Sequence, residues 1–518
     1  MKKLILTHDI GTSGDKAALV DQEGRIIRTH TASYGDVFFR DGRTEQDPEE
    51  WWKAFCVNNA VLLEDIALED IVAVILTGQM MCCLPLDKKG EPLYAAITWA
   101  DIRAEEEAAY LEQMLGKDEY YEITGMRSAA GYTLPKIMWL KKHKNEIYRK
   151  ASVFVSPKDF INGKLTGCFA VDAETAAYMH CFDRRTNGWS RNLLEAAGVD
   201  QEKMPCLIPA GSIIGTLLPV AAKESGLVAG IPIVMGPGDG GAATFGSGVT
   251  ETGEAYTSIG TSSWVCAVSA GGKTDAERRI SKISYFNTQR DSGTMQAGGY
   301  AYHWICKMLY ARELSLLDGY RQIDQYTADS PPGARGLLFL PYLLGERAPF
   351  WDSAMLGAFI GLHSGTTRQD MCRSVMEGVA FHMRIILDII RELNKPAGLV
   401  SMKLIGGGGR SPLWTQIFAD VYDLPVSSVA CPDHAATLGM AVLAGVAVGM
   451  FQNTAVIRQF QRVVSITEPH TENAALYQEL FTIFRDSAAG LTEINHRLKK
   501  LAPLKSYIGC PGGKRYKQ

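Results

Sequence analysis

Two polar turns supply the first chemistry. The tetrapeptide Ile-Gly-Thr-Ser stands at Ile10–Ser13 and again at Ile259–Ser262. Glycine lets backbone approach a ligand closely, and successive N–H groups in a tight turn form an anion-binding nest. The hydroxyls of Thr12, Ser13, Thr261 and Ser262 add donors without bulk. A single turn of this kind reads as a polar hairpin tip. Two of them, with Gly11 and Gly260 in matching surroundings, read as a grip on a polyphosphate from two sides.

The elements that hold these turns repeat as well. Each copy follows a short strand, Lys3–His8 or Glu254–Ser258, and precedes a second β-rich stretch, Ala17–Val20 or Trp264–Val268. A glycine-rich turn then recurs behind an apolar strand. Gly236-Pro-Gly-Asp-Gly-Gly241 follows Ile231–Met235, and Gly406-Gly-Gly-Gly-Arg-Ser411 follows Ser401–Ile405. The sequence therefore pairs these two turns as the second repeated feature. The period is too long for a solenoid, so the pattern implies two duplicated domains facing each other. A chain of 518 residues also exceeds the ~250–300 at which single cores stop growing. The break near Gly248–Gly253 gives domains at 1–248 and 253–450, with a helical segment and tail at 451–518.

Local signals place mixed α/β material between the turns. Pro48–Glu64 is amphipathic, with Trp51, Trp52, Phe55 and Val61 available for one side. Ile71–Leu76 is a buried-strand run leading into Thr77-Gly-Gln-Met80. Thr367-Arg-Gln-Asp370 is a capping box opening a helix through Leu393, and Pro412–Tyr422 is a second helix. Lys499–Gln518 reads as a solvated tail.

Composition and failed motifs remove other classes. Hydrophobic residues make up 46% and charged residues 21%, which suits a globular enzyme. A net charge of −4 implies no basic face for nucleic acid or acidic membrane. Eleven cysteines without a CxxC pair indicate neither a disulfide framework nor a zinc site. The N-terminus is too short in apolar residues for a signal peptide, so a reduced cytoplasmic compartment is expected. Gly236–Gly241 formally satisfies G-x-G-x-x-G, but Gly246, Gly248 and Gly253 interrupt the helix a dinucleotide site needs. Gly272-Lys273-Thr274 lacks the first glycine of a Walker A loop, and no G-x-S-x-G or H-E-x-x-H occurs.

From Asp9-Ile-Gly-Thr-Ser-Gly14 to about Met450, the chain resembles a known family. The motifs run in order through Glu45-Gln-Asp-Pro48, Trp51-Trp52, Thr77-Gly-Gln-Met80, Trp99-Ala-Asp-Ile-Arg103, Gly238-Asp239 and Ile259–Ser262. They continue with Leu340-Pro-Tyr-Leu-Leu-Gly-Glu-Arg-Ala-Pro349, Glu377-Gly-Val-Ala-Phe381, Gly406–Ser411 and Ala436-Thr-Leu-Gly439. Together they resemble the FGGY carbohydrate kinases, within the sugar kinase, heat-shock protein 70 and actin superfamily, and above all its xylulokinase branch.

The resemblance implies two ribonuclease H-like, actin-like ATPase domains of α/β class with the active site in the cleft between them. It implies ATP-dependent phosphorylation of a sugar hydroxyl, with a ketopentose such as D-xylulose as acceptor. Asp239 would be the catalytic base and Asp9 would help hold Mg²⁺. Gly11, Thr12, Ser13, Gly260, Thr261 and Ser262 would line the ATP phosphates, with Gly407, Gly408 and Ser411 near the adenosine. Gln79, Met80, Trp99, Asp101 and Arg103 would lie on the sugar side, and the likeness leaves room for a homodimer.

Two departures bear on the acceptor. The xylulokinase pattern has Gln-Met-His-Gly where this chain has Gln79-Met-Met-Cys82, and Asn after the base where this chain has Gly240. Both changes remove polar partners, and sites built to hydrogen-bond hydroxyls discriminate through such partners. Other acceptors, namely L-xylulose, ribulose, glycerol or gluconate, therefore stand beside D-xylulose. The rival readings are an actin-like ATPase without a sugar substrate and a nicotinamide-dependent dehydrogenase.

Overall fold

The computed structural model describes residues 2–35, 37–39, 42–286, 288–395, 398–399, 401–501 and 516–517. The tail expected from Lys499 lies, past Leu501, almost wholly outside the described residues.

Two sheets organise the chain. The first contains β1 (Leu4–Ile10), β2 (Gly14–Asp21), β3 (Ile26–Ser33), β4 (Ile71–Gly78), β5 (Ile213–Thr216) and β6 (Pro232–Met235). Their order is β3-β2-β1-β4-β6-β5. The second contains β7 (Glu254–Ile259), β8 (Ser263–Ser269), β9 (Ser281–Tyr285), β10 (Thr288–Met295), β11 (Ser401–Ile405), β12 (Val426–Val429) and β13 (Val463–Thr467). Their order is β9-β10-β8-β7-β11-β12-β13. In each sheet an antiparallel hairpin leads, two parallel strands follow, and an antiparallel strand closes one edge. The duplication seen in the turns is thus a duplication of topology.

One expected correspondence is overturned. Gly406 follows β11, which pairs in parallel with β7 and so matches β4; Gly236 follows β6, which matches β12. The counterpart of Gly406 is Gly78. A Cβ on Gly78 would lie 2.6 Å from the Ile10 carbonyl oxygen, and one on Gly406 would lie 2.6 Å from that of Ile259. The two glycine-rich turns share composition because each meets backbone closely, at different places in the fold.

Local chemistry sets the helix ends. Asp47 accepts from the Glu49 N–H ahead of Pro48 in the helix Pro48–Leu62, which buries Trp51, Trp52 and Phe55. Val61, expected inward, is exposed, and Leu62 takes the inner face. Thr367 and Asp370 form the reciprocal capping box of the helix Arg368–Leu393. A helix does form after Gly238, against the expectation that glycines would interrupt it; it runs for eight residues, Asp239–Gly246.

That short helix and its counterpart Ala435–Ala447 join the domains. They pack in one core with Ile5, Ile75 and Val234 of the first sheet and Tyr256, Val268 and Ile405 of the second. A Cβ on Gly246 would lie 1.7 Å from the Ala435 carbonyl oxygen, and one on Gly439 would lie 2.8 Å from that of Ala242. A helical region between β4 and β5 has its own core, including Tyr120, Ile137, Leu140, Phe154 and Leu193. Beyond residue 450, β13 and the helix Ala474–Leu501 complete the second domain through Tyr477, Leu480, Phe481 and Phe484. Among the described residues no helix is long and apolar enough to cross a membrane.

Gly246→Ala is expected to cost about 1–3 kcal/mol through overpacking at the interdomain helix contact, read as a lowered denaturation midpoint. Gly490→Ala is the control. It is an exposed position where a Cβ would meet nothing within 4 Å, and it is expected to be neutral or stabilising.

Candidate active site

The first turn is anchored from behind by side chains that the sequence motifs supply. The Gly11 carbonyl accepts from the Gln79 amide at 3.2 Å and the Tyr34 hydroxyl at 2.5 Å. The Thr12 carbonyl accepts from Gln46 at 2.7 Å, and Gln46 in turn accepts from Gln79 and the Trp51 indole. Trp99 donates its indole N–H to the Thr12 hydroxyl at 3.0 Å. With the carbonyls drawn into the protein, the Thr12 and Ser13 N–H groups find no protein acceptor among the described residues. That is the donor arrangement an anion requires.

The second turn is built alike from different neighbours. Gly260 donates to the Ser262 carbonyl at 3.1 Å, and Gly299 and Tyr300 donate to the carbonyls of Gly260 and Thr261. The helix Gly298–Leu309 therefore begins on this turn, and a Cβ on Gly299 would lie 2.4 Å from the Gly260 carbonyl oxygen. Gly408 packs on the Ile259 side chain, whereas a Cβ on Gly407 would meet nothing within 4 Å, so this turn is open on one side. Ser411 caps the helix Pro412–Tyr422 by accepting from the Trp414 N–H. The Gly298-Gly299 pair went unread in the sequence, although it has the glycine signature of the other turns.

Two carboxyls stand at the ends of β1 and β6. Asp239 opens its helix at the exposed floor, and its carboxylate accepts at 2.7 Å from the Gly240 N–H. Although the side chain reaches solvent, desolvation by the surrounding elements raises its pKa above the usual carboxylate range, while the Gly240 N–H and the Arg290 charge oppose that rise. Asp9 is pushed up to about 7, chiefly by burial and then by the Asp239 charge, with Lys16 opposing. An acid whose ionisation is opposed by burial and by a second carboxylate fits a site that receives a cation.

The residues expected on the sugar side divide into Met80, which packs beside the base's turn, and others that support the loops. Met80 packs against Gly238, where a Cβ would lie 2.2 Å from its sulfur. Asp101 is fully buried; it accepts from the Thr44 N–H and pairs with Arg103, which also pairs with Glu45 at 2.9 Å. These two form the loop's internal support. Gln79 likewise spends its amide on backbone and on Gln46. A residue missed in the sequence, Lys136, is buried and donates to the carbonyls of Met81, Thr98 and Gly131 at 2.9, 2.7 and 2.5 Å. Its ammonium clips together the loops bearing Met80, Trp99 and Tyr132, and burial lowers its pKa to about 8.

Models of the N-terminal and C-terminal domains of the FGGY family of carbohydrate kinases match residues 4–246 and 255–448. The chain belongs to this family. The kinase is 29% identical over 505 residues to a protein named xylulose kinase from Bacillus subtilis, covering 96% of this chain and 99% of that one. A ligand-bound xylulose kinase structure from Lactobacillus acidophilus superposes with TM-score 0.88 at 26% identity, covering 96% of this chain and 100% of that one. A gluconate kinase structure from the same organism superposes with the same TM-score, identity and coverage. The kinase is thus an enzyme of two actin-like domains, in a family that uses ATP. The dehydrogenase reading falls with this assignment.

Asp9 yields a pH test. A carboxyl with folded pKa about 7, against 3.8 unfolded, favours the folded state when protonated, so its contribution is lost as pH rises between those values. Without nucleotide and Mg²⁺, Asp9→Asn is expected to be more stable than the wild type at pH 8 and equal to it near pH 4. Thermal melts across that range check the convergence, and added MgATP is expected to stabilise the wild type more than the variant.

Proposed function

We propose that the kinase phosphorylates a ketopentose hydroxyl, D-xylulose first, using Asp239 as base. The observation carrying this reading is Asp239 itself, an exposed carboxylate whose one protein donor among the described residues is its neighbour's N–H. A sugar hydroxyl does not ionise near neutrality, so a group with unspent acceptor capacity must take its proton as the phosphorus–oxygen bond forms. A raised pKa brings the base nearer its working pH.

The remaining roles follow from the donors present. The N–H groups of Thr12, Ser13, Thr261 and Ser262, with Gly11 and Gly260, hold the phosphates, and Gly407, Gly408 and Ser411 lie toward the adenosine. Asp9 holds Mg²⁺, a hard cation that keeps several waters and needs few protein ligands. When bound, MgATP supplies the phosphoryl group and the divalent charge. Met80 and Trp99 line the acceptor side, with Gln79, Asp101 and Arg103 behind them. In this reading residues 1–248 carry the sugar side and the base, and 253–450 carry the nucleotide. Closure of the two domains excludes water and limits wasteful hydrolysis.

A second acceptor, another pentulose or a polyol or gluconate, is favoured by one observation. The place after the base is filled by protein charge, since a Cβ on Gly240 would lie 2.8 Å from the Arg290 guanidinium.

Asp239→Asn is expected to lower phosphorylation by about 10²–10⁴-fold while MgATP affinity changes little. A coupled ADP assay and a nucleotide titration read the two separately, and near-normal turnover would assign the base elsewhere. The same assay over D-xylulose, L-xylulose, ribulose, glycerol and gluconate ranks the acceptors. ATP turnover indifferent to all of them would favour an ATPase.

A further inference from the structure

Behind Asp239 lies a charged pair that none of the site motifs includes. Glu174, in the helix Ala173–Tyr178, and Arg290, on β10, are both buried, one from each domain, and the Arg290 guanidinium donates to the Glu174 carboxylate. Arg290 also donates to the Thr244 hydroxyl at 3.3 Å. Thr244 sits on the Asp239 helix; its hydroxyl donates to the Gly240 carbonyl at 2.8 Å and meets the Tyr256 hydroxyl at 2.9 Å. Trp264 donates to that same Tyr256 oxygen at 2.8 Å. The first turn of the Asp239 helix is thereby tied to β7, β8 and β10 of the other domain.

Gly240 and Gly241 are the cut-out that admits this pair. A Cβ on Gly240 would lie 2.8 Å from Arg290 Nη2 and 3.3 Å from Glu174 Oε1, and one on Gly241 would lie 1.8 Å from Glu174 Oε2. An asparagine after the base, as in the xylulokinase pattern, would have to displace the Arg290 guanidinium. The pair also keeps unspent capacity, since Arg290 Nε and Glu174 Oε2 are buried without protein partners. A buried ion pair is a poor source of stability, because desolvation offsets its attraction. Its presence beside a base therefore calls for another reason.

We propose that Glu174 and Arg290 are positioning residues for Asp239, an interdomain ion pair that fixes the first turn of its helix and sets a cation behind the carboxylate. The proposal rests on the kinase reading above. The charged groups facing the pair are Asp239, Asp172 and Lys158, the last two joined to Asp159 in a buried network. Arg290 opposes the effect of burial at both carboxyls, at Asp239 in front of it and at Glu174 beside it.

The test compares Glu174→Gln, Arg290→Met and the double variant in full-length protein, with the acceptor that ranks first. Each single variant is expected to lose about 10–100-fold in kcat, the scale of a misplaced catalytic group, with acceptor KM and MgATP affinity nearly unchanged. The double variant, with neither charge left unpaired, is expected to regain the thermal midpoint but not kcat. Recovery of kcat together with the midpoint would make the pair merely structural and overturn the proposal. A rise in acceptor KM at constant kcat would make it an acceptor contact and overturn it too. Should these variants fail to fold, Gly240→Ala displaces the guanidinium while keeping both charges, and unchanged kcat there counts equally against the proposal. A wild type that binds MgATP but phosphorylates no acceptor would sink the kinase reading instead.

Discussion

The helix Asp239–Gly246 begins at the proposed base and ends against the other domain, and the site's geometry hangs on that contact. Its last residue must be glycine because the Ala435 carbonyl occupies the space of a side chain. Packing this close leaves little freedom for sliding, so the helix start is referenced to both sheets at once. The counterpart helix contributes Gly439 to the same crossing. The duplicated topology thus places equivalent helices, each following the last parallel strand of its sheet (β6 or β12), back to back.

Around this contact the protein concentrates ionisable groups that burial makes costly to charge. Burial raises the cost of ionising both Asp9 and Asp239, and the Asp239 charge adds to it at Asp9. Such an arrangement costs stability in the empty protein and suits one that binds a cation and polyanion. Arg290 and Glu174 act on the far side of the base, where glycine after the base turns a pocket wall from a neutral side chain into an ion pair. The Lys136 ammonium, bound by three carbonyls, keeps the loops of Met81, Thr98 and Gly131 in register without spending a carboxylate.

Much of this was legible in the residues alone. The repeated Ile-Gly-Thr-Ser marks the two hairpins that begin each sheet, and the Thr367 box and Pro412 mark helix starts where caps require them. Those features are local, set by turn and cap chemistry within a few residues. The glycine-rich turns misled because glycine reports that backbone is close, without reporting which backbone. Gly246 has the look of a helix breaker in the sequence, yet in the fold it lets the helix meet the Ala435 carbonyl closely.

What the chain by itself determined, then, is the short-range part: which segments become strands, where helices start, and which family of motifs they carry. Tertiary structure alone decided that Glu174 and Arg290, far apart in the chain and in different domains, meet behind Asp239, and that Asp101 turns inward to Arg103. It also decided that Gly406 corresponds to Gly78. The reason is physical: burial and long-range ion pairing depend on which surfaces are brought together, and no local spacing encodes the partner.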